Sequence, residues 1–320
     1  MNKAFIVVFS FALLFLSCSS TEDVNENPNL LEYSFGKNSY QIDVNGTLRN
    51  FHIHVPQSYD LNNPTPLVFM FHGSGGNGNL VYDISGWKEV ANREGFICVF
   101  PTALEYYVTE IGGNQTKWSA VGLDQELESS TVVEDDLDFV VAMHERMLET
   151  FNIDEARIYA SGFSNGGGFT KSRLMCEFSG VIAAVATCGG HGLPQFVPVQ
   201  SSDLISIYTI MGNKDDKKLK LAGQTNPFPM NSESIMEHSY LRNSIDNILD
   251  ILEISSEYES VEEPPNFNTM IFSNSNSQFE NEYRFKMVNG MGHIWPNGNN
   301  HASGLNAAEE FWSFFQEHKK

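Results

Sequence analysis

The stretch RIYASGFSNGGG at 157–168 sets Ser164 between glycines 162 and 166, directly after a short apolar run and before a cluster of small residues. That pattern describes a nucleophile on a sharp strand-to-helix turn. Side chains at 162 and 166 would collide with neighbouring backbone there, and the serine hydroxyl is held out above the strand. The helix that follows aims its first N–H groups at negative charge developing nearby, which is what acyl transfer requires. A serine hydroxyl attacks well only when a base takes its proton, and that base needs a carboxylate to orient it. Further along, GNKDD at 212–216 offers Asp215, with Asp216 as the alternative, and NGMGHIWPNG at 289–298 offers His293 in a glycine-rich loop. His301 competes by position, while His191 in CGGHG is expected beside the cleft as a substrate contact.

A second glycine cluster, HGSGGNG at 72–78, follows the apolar run 67–71. The backbone N–H of Ser74 or Gly75, together with that of Asn165, suits an oxyanion hole, each donor typically worth about 3 kcal/mol of barrier. Gly73, Gly75 and Gly78 also spell G-x-G-x-x-G. A dinucleotide site needs an acidic residue closing the next strand, and that strand instead ends Val99-Phe100-Pro101. Trp118 and Trp295 have the chemistry to line a pocket for a phenolic acyl group or sugar ring, and equally the bulk to pack the loops. No metal or cofactor is expected.

These groups need a rigid frame, and the apolar pattern supplies one. Runs at 67–71, 96–100, 158–160, 183–187 and 205–211 are continuous rather than alternating, as strands buried on both faces are. Helical periodicity separates them, so a mostly parallel sheet flanked by helices, an α/β architecture, is expected. Segments 40–44 and 49–55 read as a hairpin turning at Asn45-Gly46. Segment 135–151 reads as a helix whose first turn carries Asp135 and Asp136 as structural groups, with His144 on its apolar stripe as a core histidine whose polar atoms are satisfied. A helical insertion at 232–256 precedes Glu262-Glu263-Pro264-Pro265, a composition that breaks regular structure. The last helix is expected to open at Asn306 with Glu309 completing a capping box. Residues 283–288 form the last strand, so His293 falls in the loop before that helix.

The chain has 320 residues and a formal net charge of −21, which disfavours nucleic acid and favours neutral or esterified substrates unless Lys117, Arg173 or Lys214 gather locally. Lys3 and the apolar run 4–16 read as an export signal too short to span a bilayer, giving a signal segment 1–17, a polar tether 18–38 and one catalytic domain 39–320. Cys18 sits where a bacterial lipoprotein is lipidated, which implies attachment to the outer membrane by lipid alone; the alternative is a soluble secreted protein. Without Cys18, three cysteines remain, of which Cys98 reads as a buried thiol and Cys176 and Cys188 as a possible disulfide.

HGSGGNG, VEDDLDF at 133–139, SGFSNGGG, GNKDD and GMGHIWPNG, in this order, resemble the secreted polyhydroxybutyrate depolymerase and feruloyl esterase family grouped with carbohydrate esterase family 1, from about residue 40 to the C-terminus. The resemblance implies an α/β-hydrolase fold, with chain order Ser164, Asp215, His293, and cofactor-free hydrolysis of carboxylic esters through an acyl-enzyme. The acid turn reads MGNKD where the family commonly has HG before its Asp, and no polymer-binding domain is appended. Removal of feruloyl or acetyl groups from polysaccharide is therefore the expected function. A polyester depolymerase or peptidase on the same scaffold, or a silent glycan-binding lipoprotein, are the other readings.

Overall fold

Asn45 and Gly46 take positive φ angles of 54° and 88°, so the chain reverses within two residues, as expected of an Asn-Gly hairpin. In this computed structural model, which describes residues 30–190, 204–263, 265–274 and 281–320, that turn joins β1 (Gly36–Val44) to β2 (Thr47–Val55). There follow β3 (Thr65–Phe71), α1 (Gly78–Ile84), α2 (Trp87–Glu94), β4 (Ile97–Pro101) and a small separate hairpin of β5 (Leu104–Val108) and β6 (Gly113–Lys117). Next come α3 (Asp136–Thr150), β7 (Ile153–Phe163) and α4 (Asn165–Phe169), which widens into a π-type turn over Thr170–Leu174 and ends in α5 (Met175–Glu177). The remainder comprises β8 (Ala184–Cys188), β9 (Ser206–Gly212), α6 (Asp216–Leu221), α7 (Ser232–Glu237), α8 (Ser239–Leu252), β10 (Glu259–Glu263), β11 (Phe267–Ser273), β12 (Glu282–Val288) and α9 (Ala307–Gln316).

Ten strands form one sheet in the order β1-β2-β4-β3-β7-β8-β9-β12-β11-β10. The six from β4 to β12 run parallel, and antiparallel pairs extend both edges. Successive residues of β3 face opposite layers: Phe69 and Phe71 join Phe139, Met143 and Ile245 on one side, Val68 and Met70 join Trp87, Trp312 and Phe315 on the other. Burial on both faces explains why these strands are apolar throughout. From β3 the chain turns back to β4 and then crosses to β7 on the other side, so the loops leaving β3 and β7 diverge. In open α/β sheets a crevice for ligand forms at such a point.

The helical insertion expected at 232–256 is formed by α7 and α8, broken where His238 is extended (φ −77°, ψ 112°). Two expectations need correction. The acidic stretch expected to interrupt structure instead supplies β10 up to Glu263, exposed throughout, because its pairing with β11 is made by backbone. At α9, Asn306 caps by accepting the Ala308 N–H, but Glu309 pairs with Arg93, so the reciprocal half of a capping box is not made.

Candidate active site

Ser164 has φ 52° and ψ −117°, a backbone state that costs a non-glycine residue on the order of 1–3 kcal/mol. The Ser164 N–H donates to the Cys188 carbonyl at 2.9 Å and its carbonyl accepts the Gly168 N–H at 2.8 Å, so β8 and α4 hold the turn from both ends. Glycine is required on either side by proximity. A Cβ at 162 would stand 2.4 Å from the Gly166 carbonyl oxygen, and one at 166 would stand 2.4 Å from the carbonyl oxygens of both Phe71 and His72.

The imidazole of His293 meets that serine. Its Nε2 lies 2.8 Å from Ser164 Oγ, and its Nδ1 lies 2.8 Å from Asp215 Oδ2. A carboxylate only accepts, so Nδ1 carries the ring proton and Nε2 is left to accept from the hydroxyl. Two loops are tied together to achieve this. Lys214 N–H donates to the Met291 carbonyl, Asn213 N–H to the Val288 carbonyl and Gly290 N–H to Asn213 Oδ1, at 2.7–3.0 Å. The ring rests against Phe163, with 5.1 Å between centroids.

Asp215 is 1 % exposed and caps α6, its Oδ1 accepting the Lys218 N–H at 3.1 Å. Burial raises its carboxyl, but the His293 hydrogen bond and charge, with the Lys218 N–H and ammonium, outweigh burial and hold it below the ordinary value. Asp216 is the exposed first residue of α6, so Asp215 is the carboxylate that faces the histidine. His301 bonds Ser303 instead.

The loop after β3 reaches the same place, since a Cβ on Gly73 would lie 3.2 Å from Ser164 Cβ. The Gly75 N–H is taken by the Thr116 carbonyl at 3.0 Å and the Gly76 N–H by the Gly73 carbonyl. Among the described residues no acceptor meets the Ser74 N–H, and of the two alternatives Ser74 is the free donor. Asn165 heads α4, where backbone N–H groups lack intrahelical partners.

Both tryptophans pack rather than line a pocket. Trp118 is fully buried, its indole N–H donating to the His72 carbonyl at 2.9 Å and its ring packed against Phe71 and Phe169. Trp295 is buried with its N–H on the Ser85 carbonyl. The apolar bulk of both rings is satisfied by the core and each polar end by a carbonyl, which leaves no face for substrate. His191 and Cys18 lie outside the described residues. Asp135 is the N-cap of α3, and Asp136 is buried against Arg49. His144 leans on Phe178, but among the described residues its buried Nε2 has no partner, so the expected satisfied histidine is not found. Cys98, Cys176 and Cys188 are free and buried, and the possible disulfide is not formed. Lys117 pairs with Glu126 and Arg173 with Asp135 and Glu177, so neither adds net positive charge to the cleft.

Two lysines were missed by sequence reasoning. Lys171 and Lys218 are buried and both donate to the Gly190 carbonyl. Burial, against the pull of Asp215, pushes the Lys218 ammonium down to about 8. The only signal was its place three residues after Asp215. A cavity of about 370 Å³ lined by Asp60, Arg157 and Trp312 lies at the opposite end of the strands, beside the start of β3.

No family model matches the chain. It is similar to a bifunctional acetylxylan esterase/xylanase of Neocallimastix patriciarum, 28% identical over 171 residues, which are 53% of this chain and 22% of that protein. It is also similar to a probable feruloyl esterase C of Aspergillus niger, 27% identical over 150 residues, 46% of this chain and 47% of that one. The chain thus matches about a fifth and about half of the length of these relatives. An acetyl xylan esterase from Aspergillus awamori superposes with a TM-score of 0.53 at 14% identity, over 87% of this chain and 99% of that one. The fold is the α/β-hydrolase fold, and the similar proteins include feruloyl esterases, as the motif resemblance implied, together with acetylxylan esterases.

Proposed function

We propose that the protein is a serine carboxylic ester hydrolase that removes feruloyl or acetyl groups from polysaccharide. The observation that carries this reading is the unbroken chain from Ser164 Oγ through His293 to Asp215, two contacts of 2.8 Å at the switch point of the sheet. Ser164 attacks the ester carbonyl while its proton passes to His293 Nε2, and Asp215 stabilises the imidazolium that forms. The N–H groups of Ser74 and Asn165 hold the oxyanion. Collapse of the tetrahedral species expels the sugar hydroxyl, protonated by His293, and leaves an acyl-serine. Water, deprotonated by the same imidazole, then releases the acid. The names of the relatives support feruloyl and acetyl groups as the acyl part.

Ser164→Ala should abolish turnover of p-nitrophenyl acetate and of feruloylated and acetylated xylan fragments while the melting temperature holds. An unchanged rate excludes the mechanism. Parallel assays on hydroxybutyrate oligomers and peptides separate the polyester and peptidase readings. We further propose export and lipidation at Cys18; Cys18→Ser should move the protein from the membrane fraction to the medium, and an unaltered distribution overturns it.

A further inference from the structure

We propose that Trp118 is a positioning residue that holds the two oxyanion loops in register, and that Asp136 anchors it. The inference rests on the serine esterase reading above. Each oxyanion donor comes from a different loop, one after β3 and one after β7, and the two must converge on one oxygen atom within a few tenths of an ångström. Trp118 is bonded to both. Its backbone N–H donates to Asn165 Oδ1 at 2.7 Å and its carbonyl accepts from Asn165 Nδ2 at 3.3 Å. Its indole N–H donates to the His72 carbonyl at 2.9 Å.

The second contact reaches Ser74 through a short path. His72 Nε2 accepts the Ala103 N–H at 3.0 Å, so the ring proton is on Nδ1 and donates to the Gly73 carbonyl at 2.7 Å. In a trans peptide the carbonyl of residue 73 and the N–H of residue 74 point in opposite directions. Fixing the Gly73 carbonyl inward, where the Gly76 N–H also holds it, therefore turns the Ser74 N–H outward. Trp118 fixes the preceding peptide, between His72 and Gly73, so both peptides flanking Gly73 are held.

Trp118 itself is pinned. Ser119 N–H donates to Asp136 Oδ2 at 2.7 Å, and Asp136 N–H donates to Ser119 Oγ at 3.0 Å. The Asp136 carboxylate is fully buried and paired with Arg49, whose guanidinium lies 4.2 Å from the centre of the Phe139 ring. Through the VEDDLDF motif, the start of α3 thereby locks residues 118–119 against the turn that carries Ser164.

Trp118→Phe keeps an aromatic ring and the backbone bonds to Asn165, and removes the indole N–H bond to His72 together with the buried volume of the second ring. Expected is a fall in kcat on p-nitrophenyl acetate of about 10- to 100-fold with KM within about twofold. A trifluoromethyl ketone, which adds Ser164 Oγ to give a tetrahedral oxyanion, should bind more weakly by the same factor, whereas acetate should bind as before. End-point labelling by a fluorophosphonate counts the folded sites. A folded variant that matches wild type in kcat and ketone affinity, or that changes KM alone, overturns the inference while the esterase reading stands. Wild type that neither turns over esters nor takes the label at Ser164 overturns both. Should the variant not fold, the indole N–H resonance of Trp118 in wild type decides: it should shift when the ketone adduct forms, and an unmoved resonance refutes the coupling.

Discussion

Asp215→Asn alters the site with the least change of shape. The carboxylate uses Oδ2 for His293 and Oδ1 for the Lys218 N–H, so either orientation of an amide sets its NH₂ against a donor. Facing His293, the NH₂ forces the ring proton onto Nε2, where it can no longer accept from Ser164. Facing Lys218, it leaves that N–H unpaired and still withdraws the negative charge from the histidine. Imidazolium and carboxylate centres about 4 Å apart at an effective dielectric of about 20 interact by about 4 kcal/mol, roughly a 10³-fold effect on rate. The wrong tautomer adds about another factor of ten, and triad asparagine substitutions elsewhere reach about 10⁴. The expected kcat on p-nitrophenyl acetate is thus about 10³- to 10⁴-fold below wild type, measured at matched fluorophosphonate-titrated concentration. Asp216→Asn, at an exposed neighbour, should be indistinguishable from wild type. An Asp215→Asn enzyme retaining a tenth of the activity, or an Asp216→Asn enzyme equally impaired, refutes the assignment.

Gly166→Ala should cost at least about 3 kcal/mol, because its Cβ meets backbone atoms of Phe71 and His72 that cannot move without opening the sheet. Urea denaturation measures this, and a loss below about 1 kcal/mol contradicts the geometry. Burial, opposed by the bond to Gly73, lowers His72 from 6.5 to about 4. Between those values the unfolded chain binds a proton that the folded chain refuses, so this contribution is complete above pH 6.5 and falls by about 1.4 kcal/mol per pH unit until about pH 4. From pH 7 to pH 5 wild type should lose about 2 kcal/mol more stability than His72→Asn. Equal losses in both proteins would show that His72 is not held neutral.

What was legible beforehand is local. The elbow at Ser164, the Asn45-Gly46 hairpin and the buried parallel strands are encoded by residues adjacent in the chain, since steric limits on backbone and the period of side chains act over a few positions. The order of the motifs then placed Asp215 and His293 in loops leaving the same edge of the sheet. Strands β5, β6, β10 and β11 escaped; ESVEE in β10, exposed throughout, and GNQTK in β6 carry no apolar alternation to announce a strand.

Side-chain roles that depend on distant partners were decided by packing. Trp118 has the chemistry of a substrate platform, but Phe71 and Phe169 enclose it and the His72 carbonyl, 46 residues away in the chain, takes its indole hydrogen bond. Asp136 is an ordinary helix-start acid until Arg49, 87 residues earlier, neutralises it in the core. The sequence by itself determined which hydroxyl, imidazole, carboxylate and glycine-rich turns are available for the proposed chemistry, because those are properties of residue type and local turn geometry. Which aromatic ring faces substrate, and which carbonyl holds which loop, followed only when the sheet closed over its two cores, because burial is a property of the assembled fold.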